Sequence, residues 1–251
     1  MAAIKPRVAL EWQIATVKAI RQETPKVKSF TLALPNWQRH RAGQHYDIRL
    51  TAPDGYRAQR SYSIASEPQR EGEVDLTVEL VENGEVSTFL HQVAAEGDRF
   101  EVRGPIGGYF VWEASSGGPI LLIGGGSGVV PLMSMLRHRA AADADVPARL
   151  LYSSRTYDDI IYRDELDRFA AKRDGFELFH TLTRAQPTGW KGYARRIDEQ
   201  MLGDVSRAYG AQAMVFICGP TALVENAANA LTNLGLKPDR IRTERFGPSG
   251  T

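Results

Sequence analysis

The sequence predicts two domains, an N-terminal antiparallel β-barrel followed by a C-terminal α/β unit built on a parallel sheet. Three observations predict this. The first 112 residues read as short strands separated by turn formers, whereas from Pro119 onward apolar strands alternate with helical stretches. Between them, Ser115-Ser116-Gly117-Gly118 has the composition of a linker, so the boundary falls at residues 1–114 against 115–251. A chain of 251 residues has room for two units of ordinary domain size.

In the first half the strand candidates are Trp12 to Ile20, Val27 to Ala33, His45 to Leu50, Ser61 to Ile64, Val74 to Val81 and Arg99 to Arg103, with Pro53-Asp54-Gly55 as a turn. Short strands at this spacing fit an antiparallel barrel or sandwich. The second half reads as strand Ile120 to Ile123, helix Val130 to Arg139, strand Arg149 to Tyr152, helix Arg163 to Lys172 and strand Glu177 to Leu182. It closes with strand Met214 to Ile217, helix Ala222 to Leu234 and a short strand near Ile241 to Thr243. Strand and helix in alternation imply a parallel sheet covered by helices.

Composition excludes several classes. Lys and Arg number 31 against 30 Asp and Glu, which gives no reason to expect nucleic acid as a partner. Apolar runs are broken by glycine and fall short of the roughly 20 residues that span a bilayer. Met1 to Leu10 has no apolar segment of signal-peptide length, so the expected compartment is the cytoplasm. Cys218 is the only cysteine, which excludes a disulfide framework, a cysteine zinc site and a cysteine-ligated iron-sulfur cluster within this sequence. Glu79 and the histidines at 40, 45, 91, 138 and 180 show no metal-ligand spacing, so no metal is assigned.

Ile120-Leu121-Leu122-Ile123 runs into Gly124-Gly125-Gly126-Ser127-Gly128 and then an apolar helix. Glycines there let backbone N–H groups approach a pyrophosphate, and the helix N-terminus adds partial positive charge. A dinucleotide is the natural ligand; a tight glycine turn without a ligand is the competing reading. The G-x-G-x-x-G fingerprint is incomplete, since Val129 and Pro131 occupy its last position in either frame. No Lys follows as in a Walker loop. The second strand of an NADH-preferring unit commonly ends in an acid that binds the ribose hydroxyls. Here it ends in Ser153-Ser154-Arg155, with Arg163 further on, and a hydroxyl with guanidinium groups suits a 2′-phosphate. NADPH is therefore expected over NADH. The bland alternative is an Arg155 paired with Asp158 or Asp159.

Arg60-Ser61-Tyr62-Ser63, Gly104-Pro105-x-Gly107, the glycine loop and Cys218-Gly219-Pro220 occur in an order that resembles the ferredoxin-NADP reductase superfamily. The resemblance runs from Gly43-Gln44 to Glu244-Arg245-Phe246. It implies FAD as prosthetic group, with Arg60 on the flavin phosphate, Tyr62 against the isoalloxazine and Ser63 near its N5. Ser61, Val78, Gly84, Val86, Ser87 and Thr88 are implied as further flavin contacts, Ser87 and Thr88 opening a short helix. Gly125, Gly126, Ser127 and Gly128, Ser154, Arg155 and Arg163, and Cys218, Gly219 and Pro220 are implied as coenzyme contacts. Cys218 would lie beside the nicotinamide, a position supported by its place at the C-terminal end of a parallel strand. Ser63, Cys218, Glu244 and Phe246 are the implied catalytic residues, with the Phe246 ring over the flavin face. Phe246 is not the last residue here, and the tail Gly247 to Thr251 is an alternative cover for the adenine end.

The resemblance implies an NAD(P)H oxidoreductase that passes electrons from NADPH through FAD to a separate one-electron acceptor, a ferredoxin or an oxygenase component. A monomer is expected. A free flavin or quinone reductase, and a non-catalytic nucleotide-binding module, are the alternatives.

Overall fold

The computed structural model describes residues 10–246. β1 (Gln13–Thr24), β2 (Val27–Ala33), β3 (His45–Thr51), β4 (Arg57–Ser63), β5 (Glu73–Glu79) and β6 (Arg99–Ile106) pair antiparallel in one six-stranded sheet ordered β4-β3-β6-β1-β2-β5. A bridge between Ile64 and Leu76 joins its two edges, so the sheet closes as a barrel. Alternation supplies the core: Val74, Leu76 and Val78 of β5 meet Phe30, Leu32, Tyr46, Ile48 and Val102 inside. The helix α1 (Glu85–Gln92) adds Val86 and Leu90 to that core.

The second half is a five-stranded parallel sheet of β7 (Ile120–Gly125), β8 (Ala148–Ser154), β9 (Phe176–Leu182), β10 (Met214–Pro220) and β11 (Ile241–Phe246), ordered β11-β10-β7-β8-β9. α2 (Val129–Ala141) and α3 (Arg163–Ala171) cover the face of Ile120, Leu122, Leu150 and Phe216. α4 (Glu199–Ser206) and α5 (Thr221–Asn233) cover the face of Leu121, Ile123, Leu151 and Ile217. The chain leaves β7 in one direction through β8 and β9 and returns to the other side with β10. The switch therefore lies between β7 and β10, where Gly124 pairs with Cys218 and where open α/β sheets bind ligands.

Every strand and helix anticipated from sequence is present, several extended by a few residues. Glu199–Ser206 was not anticipated, although its cap is visible in hindsight: the Asp198 carboxylate accepts from the Met201 N–H at 2.8 Å. Among the described residues no helix is long and apolar enough to cross a membrane.

The halves meet through a shared apolar cluster, which joins Val27, Ala65, Phe110 and Trp112 to the second half and sets Phe110 edge-on to Phe216, and across a polar seam. Asp75 and Thr77 point outward from β5 yet are buried, because the second half covers them. The Tyr162 hydroxyl donates to Thr77, and the Ser127 hydroxyl donates to the Glu79 carboxylate at 2.6 Å. Arg137 of α2 donates to the Ala65 carbonyl oxygen at 2.9 Å and makes a forked pair with Glu165 at 2.9 and 2.7 Å. The Ala114 N–H donates to His138 Nε2 at 3.1 Å, which leaves Nδ1–H to donate to the Gln69 side-chain oxygen at 3.0 Å. Burial keeps that imidazole neutral by lowering its pKa.

Arg137→Met is expected to destabilise the chain by about 2–3 kcal/mol in urea unfolding, because the Glu165 carboxylate and Ala65 carbonyl lose a charged donor at a largely dry seam. A change below about 0.5 kcal/mol, the scale of an ordinary surface substitution, would show the network to be idle.

Candidate active site

On the barrel side the site is carried by β4 and the first turn of α1. Arg60 is exposed, donates to the Gln59 carbonyl oxygen at 2.6 Å and, among the described residues, makes no salt bridge. It lies near Tyr56, whose hydroxyl reaches Glu85 at the start of α1. A cation without a carboxylate partner beside a helix N-terminus, whose first N–H groups have no intrahelical acceptor, suits a phosphate. Ser87 turns its hydroxyl inward, donating to the Gly84 carbonyl oxygen at 3.2 Å and accepting from the Val81 N–H at 3.2 Å, so only its backbone faces an anion. Thr88 N–H is already bound to the Gly84 carbonyl oxygen at 2.9 Å. Val78 and Val86 bury their side chains in the barrel, and the Val78 carbonyl oxygen lies 2.9 Å from His91 Nε2.

Along β4 the alternation separates Ser61 from its neighbours. Its hydroxyl donates at 2.6 Å to the buried Asp47 carboxylate, which Gln59 and Arg103 also reach at 3.0 and 2.8 Å. Ser61 thus braces the strand against β3. Tyr62 is half-buried with its ring against the barrel core. A flat ligand with an anionic tail fits this face, so the residues present match a flavin nucleotide.

On the sheet side Gly126 adopts φ 56° with open space where a side chain would stand, the conformation of a loop that presents its backbone. A Cβ on Gly128 would lie 2.1 Å from the Cys218 carbonyl oxygen, so only glycine lets the loop rest on β10. At the end of β8, Ser154 is buried and its hydroxyl has no partner among the described residues. Arg155 is exposed and makes no salt bridge there. The suspected pairing with neighbouring acids is not formed: Asp159 caps Thr156, while Asp158 approaches Arg163 at 3.9 Å. Arg163 lies over the Tyr157 ring at 4.4 Å. Unpaired guanidinium and hydroxyl groups at the end of the second strand fit a phosphorylated ribose.

The two sides converge at the end of β10. Cys218 pairs in the sheet with Glu244 of β11 on one side and Gly124 on the other, and Pro220 pairs with Phe246. The Glu244 carboxyl lies against the Ser63 hydroxyl of the barrel. Burial raises its pKa to about 7, with Ser63 pulling the other way. Burial first, then the neighbouring Glu244, push the Cys218 thiol well up, so it stays protonated. Ser63, Cys218 and Glu244, far apart in sequence, therefore share one junction. Phe246 is half-buried against the core of the second half, and the tail beyond it lies outside the described residues.

Residues 14–111 match the family described as an oxidoreductase FAD-binding domain, and residues 122–229 match the oxidoreductase NAD-binding domain. Ferredoxin-NADP reductase B of Sorangium cellulosum is 34% identical over 238 residues, covering 92% of this chain and 96% of that relative. The chain belongs to the ferredoxin-NADP reductase superfamily. The barrel is accordingly its FAD-binding domain and the parallel sheet its NAD-binding domain. The glycine betaine monooxygenase reductase subunit of Pseudomonas aeruginosa is 31% identical over 240 residues, and the match takes in 94% of this chain but 64% of that relative's length. In fold, the chain superposes at TM-score 0.80 on a ferredoxin NADP+ reductase from Neisseria gonorrhoeae with bound FAD and NADP, at 20% identity and covering 93% and 98% of the two chains.

Two carboxylates that sequence reasoning did not place at the site brace residues implied as ligand contacts. Asp47 holds Ser61, and Glu79 holds Ser127; each is a carboxylate in an alternating strand, a pattern that does not by itself distinguish a brace from a solvated acid.

The Glu244 shift carries a pH consequence. The folded chain binds its proton more tightly than the unfolded chain between the ordinary 4.5 and about 7. Its contribution to stability is therefore greatest below that window and declines as pH rises through it. Urea midpoints measured at intervals from acid to neutral pH are expected to fall less in Glu244→Gln than in the parent chain. Identical slopes would contradict the shift.

Proposed function

We propose that the chain takes hydride from NADPH and passes the electrons, through FAD, to a separate one-electron acceptor of the ferredoxin or oxygenase-component kind. The convergence of Ser63, Cys218 and Glu244 where the two domains meet carries this reading, since it gives a flavin and a nicotinamide one shared chamber. When bound, FAD supplies an N5 that accepts hydride and a ring that releases electrons singly.

The protein's own groups would act by placement and charge. Arg60 and the first-turn amides of α1 hold the flavin phosphates, and Tyr62 flanks the ring. Amides of Gly125 to Gly128 receive the coenzyme pyrophosphate, with Ser127 kept in position by Glu79. Ser154, Arg155 and Arg163 receive the 2′-phosphate. Cys218, with Gly219 and Pro220, forms the seat of the nicotinamide as an uncharged wall. Glu244, poised near neutrality, holds a proton beside Ser63. Phe246 covers the mouth from β11. The division between the domains is set at residues 114 and 115, between the last barrel strand and β7. The setting is the cytoplasm, where NADPH is held, and the working unit is a monomer, since the chamber is formed within one chain. An acceptor in another protein accords with the names of relatives such as the toluate 1,2-dioxygenase electron transfer component of Pseudomonas putida.

Purified protein should be yellow, release FAD on denaturation, and bleach under anaerobic titration with NADPH more readily than with NADH. It should then reduce an added ferredoxin faster than free flavin. A colourless chain that takes up no flavin would overturn the assignment, and preference for free flavin would move it to the flavin reductases. Arg155→Ala is expected to weaken NADPH binding by about 1.5–3 kcal/mol, the scale of a charged hydrogen bond, with NADH nearly unaffected. Equal losses for both coenzymes would remove Arg155 from phosphate recognition.

A further inference from the structure

Tyr152 lies near the end of β8 and is fully buried, with no surface to offer a ligand. Its hydroxyl joins two backbone groups from separate segments. It donates to the Gly126 carbonyl oxygen at 3.1 Å and accepts from the Ile161 N–H at 3.3 Å. Gly126 belongs to the glycine loop at the end of β7. Ile161 opens the turn Ile161-Tyr162-Arg163 from which α3 starts, and that turn delivers Arg163 to the face of Tyr157.

The turn is held from a second direction. Tyr162 sits at φ 59°, ψ 24°, a left-handed conformation that is unfavourable for a non-glycine residue, and its hydroxyl is fastened to Thr77 of the barrel. Arg163 meets carboxylates only at 3.9 Å (Asp158) and 3.5 Å (Asp164), too far for a fork, so its place depends on the turn more than on its ion pairs. These two partners of the Tyr152 hydroxyl are main-chain groups, and the Ser154 side chain lies beside it. Movement of the glycine loop is therefore passed to the turn through this one side chain.

We propose that Tyr152 is a positioning residue which couples the pyrophosphate loop to the Arg163 turn, so that the two phosphate-binding parts of the coenzyme site take up their geometry together. This rests on the reading of Arg163 as a 2′-phosphate contact. The coupling makes coenzyme selectivity a property of a buried hydroxyl as well as of surface arginines. A phenylalanine would fill the same volume while leaving the Ile161 N–H and the Gly126 carbonyl oxygen without their shared partner.

The test is a binding cycle on the FAD-loaded protein, with NADP+ and NAD+ titrated calorimetrically into the parent chain, Tyr152→Phe, Arg163→Ala and the double variant. Tyr152→Phe should raise the Kd for NADP+ by about tenfold and that for NAD+ by about threefold, the range expected from one or two neutral hydrogen bonds. The double variant should lose less NADP+ affinity than the product of the single losses, while the NAD+ losses multiply. Independent losses for NADP+, or an unchanged Kd in Tyr152→Phe, would overturn the coupling. Equal loss of both nucleotides in Arg163→Ala would overturn the phosphate reading beneath it. A second measurement needs no variant. Adenosine 2′-phosphate, which lacks a pyrophosphate, should slow amide exchange at residues 125–128 of the parent chain. Binding of that probe without such slowing refutes the coupling, and absence of binding refutes the phosphate site.

Discussion

One close approach governs the geometry of the cleft: Gly128 rests on the Cys218 carbonyl with room for a hydrogen and nothing larger. Because β7 and β10 are neighbours at the switch in strand order, the loop that would carry the pyrophosphate and the strand end that would face the nicotinamide are in direct contact. Their spacing is a property of the packed sheet, in which small displacements are resisted by the surrounding core. The nucleotide is thereby offered a preformed seat at one edge, and the barrel has only to present the flavin at the right height above it.

That height is set by a seam in which an apolar cluster, with Phe110 edge-on to Phe216, is flanked by directional hydrogen bonds. Glu79 meets Ser127, Thr77 meets Tyr162, and the Arg137 guanidinium spans Ala65 and Glu165. Apolar contacts alone would hold the halves over a range of orientations, whereas the hydrogen bonds are directional and lose their value when turned. Both glycine-loop and barrel groups take part, so the same bonds that join the domains also brace the glycine loop. The alternating Val74-Asp75-Leu76-Thr77-Val78 of β5 serves both purposes, with apolar residues filling the barrel and polar ones reaching across.

Much of this was legible in sequence. Period-two alternation and strand-helix alternation mark both halves because each is driven by burial of a regular face, and the motif order marks the family because its residues carry distinctive chemistry. The two-domain architecture was read correctly on that basis. What sequence could not supply are pairings between distant segments. Whether Arg155 paired with a nearby acid was open from the order of residues. It is answered by Thr156 capping, which takes Asp159, and by the turn that brings Asp158 towards Arg163. Ser61 and Ser87 looked like ligand contacts by position, yet their hydroxyls face Asp47 and the turn before α1. Tyr152 read as one more apolar residue of a strand, since nothing in its neighbours announces what its oxygen touches.

The state of the lone sulfur has a bearing on how such a protein ages. Thiol damage by peroxide or alkylating agents proceeds through the ionised form. Cys218 is sealed from solvent, and the carboxylate of Glu244 beside it opposes ionisation further. The sulfur is thereby kept in its thiol form and away from solvent, which shields it from the oxidants that reduced flavins generate in air.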